Sequence, residues 1–158
     1  MRIEKSVLAG RQGKADIEVS LNPSEKSIIE VNLESSVERL FGNHVRNNIQ
    51  SYLADLGITS CTVRAIDDGA LDFVVKSRLD AALFKLNSVF LDRLSCGKKK
   101  LGEKFTDFRR TRLYIPGNNP YLMEGCGLFG ADVIILDLED AVSQDEKVDA
   151  RFLVRGAL

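Results

Sequence analysis

Asp132-Val133-Ile134-Ile135-Leu136-Asp137-Leu138-Glu139-Asp140 is the stretch that decides the fold class. Val133 to Leu136 are apolar without alternation, the pattern of a parallel strand covered on both faces. Upstream, Leu113-Tyr114-Ile115 predicts a second strand, closed by the turn Pro116-Gly117-Asn118-Asn119-Pro120. A helix is predicted over residues 121–129, and Gly130-Ala131 leads into the strand. A charged helix is expected from about Ser143 onward. The order β-α-β-α over residues 113–158 is the opening of an α/β fold. A (β/α)8 TIM-type barrel takes eight such units in about 250 residues. Two are present, so an incomplete barrel is expected, with a strand edge that needs covering.

Residues 92–112 form a basic linker, with Gly97-Lys98-Lys99-Lys100 and Arg109-Arg110-Thr111-Arg112. The run suits either a solvated connector or a phosphate-bearing ligand. Residues 1–91 form another domain. Ile17, Val19 and Leu21 alternate with polar neighbours, as do Ile29, Val31 and Leu33. With Asn22-Pro23-Ser24-Glu25-Lys26 between them they predict a β-hairpin with one wet face. Ser35 and Glu38 have capping-box spacing ahead of a helix through Val37, Leu40, Phe41, Val45, Ile49, Leu53 and Leu56. Gly57 stands where a C′ glycine ends a helix. Residues 58–66 predict a third strand. Leu71, Val74, Val75, Leu79, Ala82, Leu83 and Leu86 make the stripe of a second helix. The N-terminal expectation is an α+β domain, β-β-α-β-α, with both helices on one face of a small sheet.

Composition narrows the function. The chain has 158 residues, 44% hydrophobic and 28% charged, with a net charge of -1. Such a chain can bury a core, and its charge balance argues against a dedicated nucleic-acid binder. No apolar run reaches the ~20 residues that cross a bilayer, and no leader pattern opens the chain, so a cytoplasmic protein is expected. Cys61, Cys96 and Cys126 are too scattered for a zinc or disulfide framework. The single histidine, His44, flanks the stripe of the first helix, where a packed or half-exposed residue is expected.

Three stretches bear on chemistry. Asp137, Glu139 and Asp140 close a strand at its carboxyl end, where α/β sites form. Two or three acids there suit a hard cation such as Mg2+, and equally suit the cap of the next helix. Pro116-Gly117-Asn118 can present backbone N–H groups to a ligand's oxygens or serve as an ordinary strand–helix turn. Asp67-Asp68-Gly69 lacks the spaced ligands of a calcium loop and reads as a turn before a helix.

Both parts resemble known families. Ser35-Ser36-Val37-Glu38-Arg39, Phe41-Gly42, Leu56-Gly57-Ile58-Thr59, Asp68-Gly69-Ala70-Leu71-Asp72 and Arg78-Leu79 resemble the acyl carrier protein (γ subunit) family of bacterial citrate lyase. Leu113-Tyr114-Ile115-Pro116-Gly117-Asn118-Asn119-Pro120, Gly130-Ala131-Asp132 and Leu136-Asp137-Leu138-Glu139-Asp140-Ala141-Val142 resemble the start of the β-subunit, aldolase/citrate lyase family. The resemblance implies a phosphoribosyl-dephospho-coenzyme A arm on a serine of the carrier. It also implies a Mg2+-dependent barrel that splits a citryl thioester into oxaloacetate and an acetyl thioester. Other citrate lyase subunits and an acyl thioester, on the arm or as free coenzyme A thioester, are the implied partners. Position 14, where the family places its serine, holds Lys14, which has no hydroxyl for a phosphodiester. The family's main metal carboxylates lie on later strands, so Glu139 and Asp140 are the near-site candidates for metal. Pro116, Gly117 and Asn118 are those for the cofactor. The expectation is a fusion within a citrate-lyase-like system, a piece of a longer lyase and inactive alone. The alternatives are a genuine carrier with a non-catalytic tail, or a docking module.

Overall fold

The computed structural model describes residues 2–88 and 108–158. Cys96, the lysine run and residues 92–107 of the linker lie outside them. In the N-terminal region the strands are β1 (Val7–Ala9), β2 (Ile17–Asn22), β3 (Ile29–Ser35) and β4 (Cys61–Asp67). The helices are α1 (Glu38–Asp55) and α2 (Asp72–Leu86). The C-terminal region runs β5 (Arg112–Pro116), α3 (Pro120–Gly125), β6 (Val133–Asp137) and α4 (Lys147–Ala157). Short 3₁₀ turns follow α3 and precede α4.

The four N-terminal strands form one sheet in the order β1-β2-β4-β3. The expected hairpin is not there. β4 inserts between β2 and β3, antiparallel to β2 and parallel to β3. Alternation fixes which face of a strand is wet and leaves its neighbour open, and the β3-α1-β4 crossover supplies a parallel partner. The three-residue β1 pairs antiparallel with β2 and adds a strand to the expected order. On the inner face, Ile17, Val19, Leu21, Cys61, Val63 and Ala65 are fully buried. They meet Val45, Ile49 and Leu53 of α1 and Val74, Val75, Leu79 and Leu83 of α2.

Local chemistry explains the helix ends. Gly57, at φ +79°, closes α1 with Gly57 N–H to Ala54 O at 2.8 Å and Ile58 N–H to Leu53 O at 3.0 Å, the Schellman pattern. The expected capping box does not form. Ser35 Oγ accepts from Val37 N–H at 3.1 Å and donates to Asp67 Oδ2 at 2.6 Å, while Glu38 pairs with Arg46. Asp67 also accepts from Ala70 N–H at 2.9 Å, so the Asp67-Asp68-Gly69 turn is held by its own acids.

β5 and β6 pair in parallel as a sheet of two, giving two short βα units. β6 was expected to be covered on both faces; Ile134 is instead 38% exposed and Tyr114 of β5 is 61% exposed. Two strands give the helices too little sheet to cover both faces. α4 turns away from this sheet and packs along α2. Phe152 lies against Phe84 with ring centroids 5.4 Å apart. Gly156 sits so close to Ser77 that a Cβ there would strike the Ser77 hydroxyl. Arg155 pairs with Asp80, and Lys85 Nζ lies 2.5 Å from Asp149 Oδ1. Consequently α2 is buried on both sides, and Ile115, Met123, Phe152 and Leu153 join the N-terminal core.

Arg78 of α2 and Asp16 are each 1% exposed and paired through two hydrogen bonds, 2.9 and 2.7 Å. Removing one partner strands the other charge. We expect Arg78→Met to lower stability by about 3–5 kcal/mol, read as a shifted urea midpoint, with Asp16→Asn close behind. A shift under 1 kcal/mol would show that the pair is dispensable.

Candidate functional site

Position 14 lies in the loop from Gly10 to Asp16 between β1 and β2. The loop is tightly determined. Gly10 takes φ +79°, and a Cβ there would strike Ile17 O. Ala15 adopts φ 58°, rare for a residue with a side chain, and is held by Ala15 N–H to Asp68 O at 2.8 Å. Asp16 Oδ1 accepts from Ile17 N–H at 2.8 Å while its carboxylate grips Arg78.

The C-terminal region closes over this loop. Asp149 Oδ2 accepts from Gly10 N–H at 2.8 Å. Arg11 lies 3.6 Å from Asp16 and 3.4 Å from Glu146. Lys14 Nζ donates to Tyr121 Oη at 3.3 Å and stands 4.3 Å from that ring's centroid. Lys14 therefore carries an ammonium held on an aromatic face, and nothing at this position can form the phosphodiester of a serine-linked arm. The side chain does not fit that group.

The turn after β5 joins the same cluster. Gly117 N–H donates to Asp137 O at 2.7 Å, and a Cβ on Gly117 would meet that oxygen at 2.6 Å. Asn118, 8% exposed, donates to Glu146 Oε2 at 2.9 Å, and Ser143 donates to the same oxygen at 2.9 Å. Asn119 caps α3 by accepting from Leu122 N–H at 3.2 Å. Pro116, Gly117 and Asn118 thus sit beside the carrier-type loop, with the Pro116 carbonyl, the Gly117 N–H and the Asn118 side-chain amide N–H given to protein partners.

At the end of β6, Asp137 Oδ1 accepts from Glu139 N–H at 2.7 Å, and Lys147 donates to the carbonyls of Leu138 and Glu139. Glu139 and Asp140 project to solvent. Among the described residues no three His, Cys, Asp or Glu side chains gather as a metal site. The residues present do not by themselves fit a Mg2+ centre. Burial pushes the Cys61 thiol up to about 11, leaving it protonated at neutral pH. His44 is exposed and meets Asp72 at 2.7 Å on the rim of an apolar groove of about 510 Å³. Val37, Phe41, Gly69 and Leu71 line it. Sequence reading missed this groove, because its lining comes from the starts of α1 and α2, far apart in the chain. Exposed Leu40, Phe41 and Leu71 were the available signal.

Burial alone would raise the Glu146 carboxyl. Hydrogen bonds from Ser143 and Asn118, with the charges of Arg11 and Arg78, outweigh it and hold the group low. A depressed carboxyl stabilises the fold above its unfolded value, about 4.3, and that contribution is lost as pH falls through the folded value. We expect Glu146→Gln to be less stable than the unaltered chain at pH 7, with the gap narrowing by pH 3. Urea midpoints at the two pH values measure it, and an unchanging gap would disprove the linkage.

Comparison with known proteins follows this division. The acyl carrier family model "Malonate decarboxylase delta subunit (MdcD)" matches residues 4–86. The "HpcH/HpaI aldolase/citrate lyase" model matches residues 110–158. The citrate lyase acyl carrier protein of Streptococcus equi subsp. zooepidemicus is 38% identical over 89 residues, spanning 56% of this chain and 87% of that protein. The citrate lyase acyl carrier protein of Streptococcus pyogenes is 36% identical over the same shares. A chain in the crystal structure of a Pseudomonas malonate decarboxylase hetero-tetramer in complex with malonate aligns with TM-score 0.41 and 22% identity. That alignment covers 54% of this chain and 88% of the other. No described helix is long and apolar enough to cross a membrane. The chain belongs to the acyl carrier protein family of the citrate lyase and malonate decarboxylase type, and carries behind that domain a partial aldolase/citrate lyase segment.

Proposed function

We propose that the chain is a non-catalytic component of a citrate-lyase-like system, which cleaves a citryl or related acyl thioester to oxaloacetate and an acetyl thioester. The observation that carries this reading is the clasp on the carrier-type loop: Lys14 is seated on Tyr121 of the lyase-family segment, and in this reading it stands in place of the attachment serine. An arm would raise the effective concentration of an acyl group at a lyase site. A carrier fold without a hydroxyl at that position keeps the binding surfaces and loses the cargo. Other subunits of the system are its partners, and an acyl thioester is the shared substrate of the system. In this reading residues 113–158 are the first units of a TIM-type barrel. Glu139 and Asp140 would add oxygen ligands only to a Mg2+ site completed by other strands, so no step is assigned to them. Arg11, already paired with Asp16 and Glu146, is poorly placed for a coenzyme A phosphate.

The rival reading, a genuine carrier, needs another serine. Ser20 exchanges hydrogen bonds with Asn22 on β2, and Ser6 lies exposed just ahead of β1. Intact mass from the native host separates the two. We expect no adduct on residues 1–91, whatever the mass of the whole polypeptide. A coenzyme-A-like addition would restore the carrier role, and its serine would be mapped by peptide mass. The purified chain with citryl-coenzyme A and Mg2+ is expected to release no oxaloacetate. Sustained release would overturn the non-catalytic reading.

A further inference from the structure

The apolar groove at the starts of α1 and α2 lies wholly within residues 37–73, inside the carrier-type region. Val37, Phe41, Val45, Ala70, Leu71 and Phe73 supply its apolar lining. Both helices begin on an apolar residue, Val37 or Leu71, at the position where a capping side chain ordinarily stands. Neither makes a side-chain cap, and both line the groove instead. Around it Leu40 is 80% exposed, Phe41 54% and Leu71 50%. A cluster of large apolar side chains left in water on a folded surface marks a contact. The two lips differ in kind. The α1 lip presents Leu40, Phe41 and His44, and the α2 lip presents Asp68, Leu71 and Asp72. His44 and Asp72 meet across the groove at 2.7 Å with more than half of each side chain in water, so either can exchange its partner. Asp68 accepts from the Ser36 hydroxyl at 2.6 Å and pairs with no cation among the described residues.

We propose that this groove is the contact surface between two copies of the chain, related by a two-fold axis. In a two-fold contact one surface meets itself, so it must carry both halves of every interaction. This surface does. Phe41 is a protruding ring beside an apolar hollow, and an imidazole on one lip faces carboxylates on the other. Laying the α1 lip of one copy on the α2 lip of the second sets Phe41 against Leu71 of that copy. His44 then faces Asp72 and Asp68 of that copy, and the axis repeats both contacts. A surface of one charge sign, or a hollow with no protruding apolar side chain, would call for a different partner. A net charge of -1 sets little repulsion between copies. No residue of the clasp around Lys14 lines the groove, so the proposal stands apart from the reading of the chain as part of a lyase system.

The test is sedimentation of the full chain across the micromolar range. The unaltered chain is expected to dimerise, and Phe41→Glu to weaken self-association by about tenfold or more. His44→Glu and Asp72→Lys are each expected to weaken it as well, because each spoils the lip-to-lip pairing on both sides of the axis. Mixing these two variants in equal amounts is expected to restore association. The introduced acid of one copy then meets the introduced lysine of the other, and His44 still meets Asp72 on the far side of the axis. Mixing does not repair a folding defect, so recovery reads the contact itself. A chain that stays monomeric across the range would overturn the proposal, whether its groove is bare, holds a small apolar molecule or binds a different protein. So would a dimer that none of the three variants weakens. Intact mass and oxaloacetate release do not read this surface, so failure here and failure of the functional reading are distinguishable.

Discussion

The buried pair of Asp16 and Arg78 is the constraint from which the rest of the molecule follows. Arg78 lies in the middle of α2, and Asp16 ends the loop that leads into β2. Their two hydrogen bonds fix the helix to the sheet at the point where the carrier-type loop turns. A charge with so little exposure cannot be left alone, so loop and helix are placed together or not at all. Once α2 is placed, its far side becomes the seat for α4. The loop then becomes a platform for Tyr121, Glu146 and Asp149.

Much of the local structure is legible in the residues. Period-two alternation marks β2 and β3, residues 58–66 read as the strand that becomes β4, and helical spacing with Gly57 marks α1 and its end. The stripe through Leu71 and Leu79 marks α2, and the acids of Asp67-Asp68-Gly69 serve their turn as expected. What eludes reading is pairing. β2 and β3 look like a hairpin because their turn residues are good, yet the sheet is assembled by β4, which arrives later in the chain. β1 is too short for a pattern. The second buried side of α2 hides behind Ser77, Arg78 and Asp80, polar residues that read as a wet face until their partners are known.

The site is legible in a similar, divided way. The residue at position 14 is visible at once, as is the absence of a hydroxyl there. The clasp around it is not visible, because Tyr121, Glu146 and Asp149 are more than a hundred residues away. Pro116-Gly117-Asn118 and Asp137-Leu138-Glu139-Asp140 look like binding elements by composition. In the fold, Asn118 is spent on Glu146 and Asp137 on the turn that follows it. Short-range spacing names residue types suited to a chemistry. Whether their polar atoms remain available depends on contacts that spacing does not encode.

The ion pair between Arg155 and Asp80 has a consequence for the history open to this chain. The two helices fall in regions matched by different families, yet a partly exposed arginine of one covers a buried carboxylate of the other. Losing Arg155 leaves the buried Asp80 carboxylate one donor short, with Tyr52 still bonded to it, so the two positions are energetically coupled. The joined segments have lost the freedom to drift as separate modules, and the seam between them is inherited as a unit.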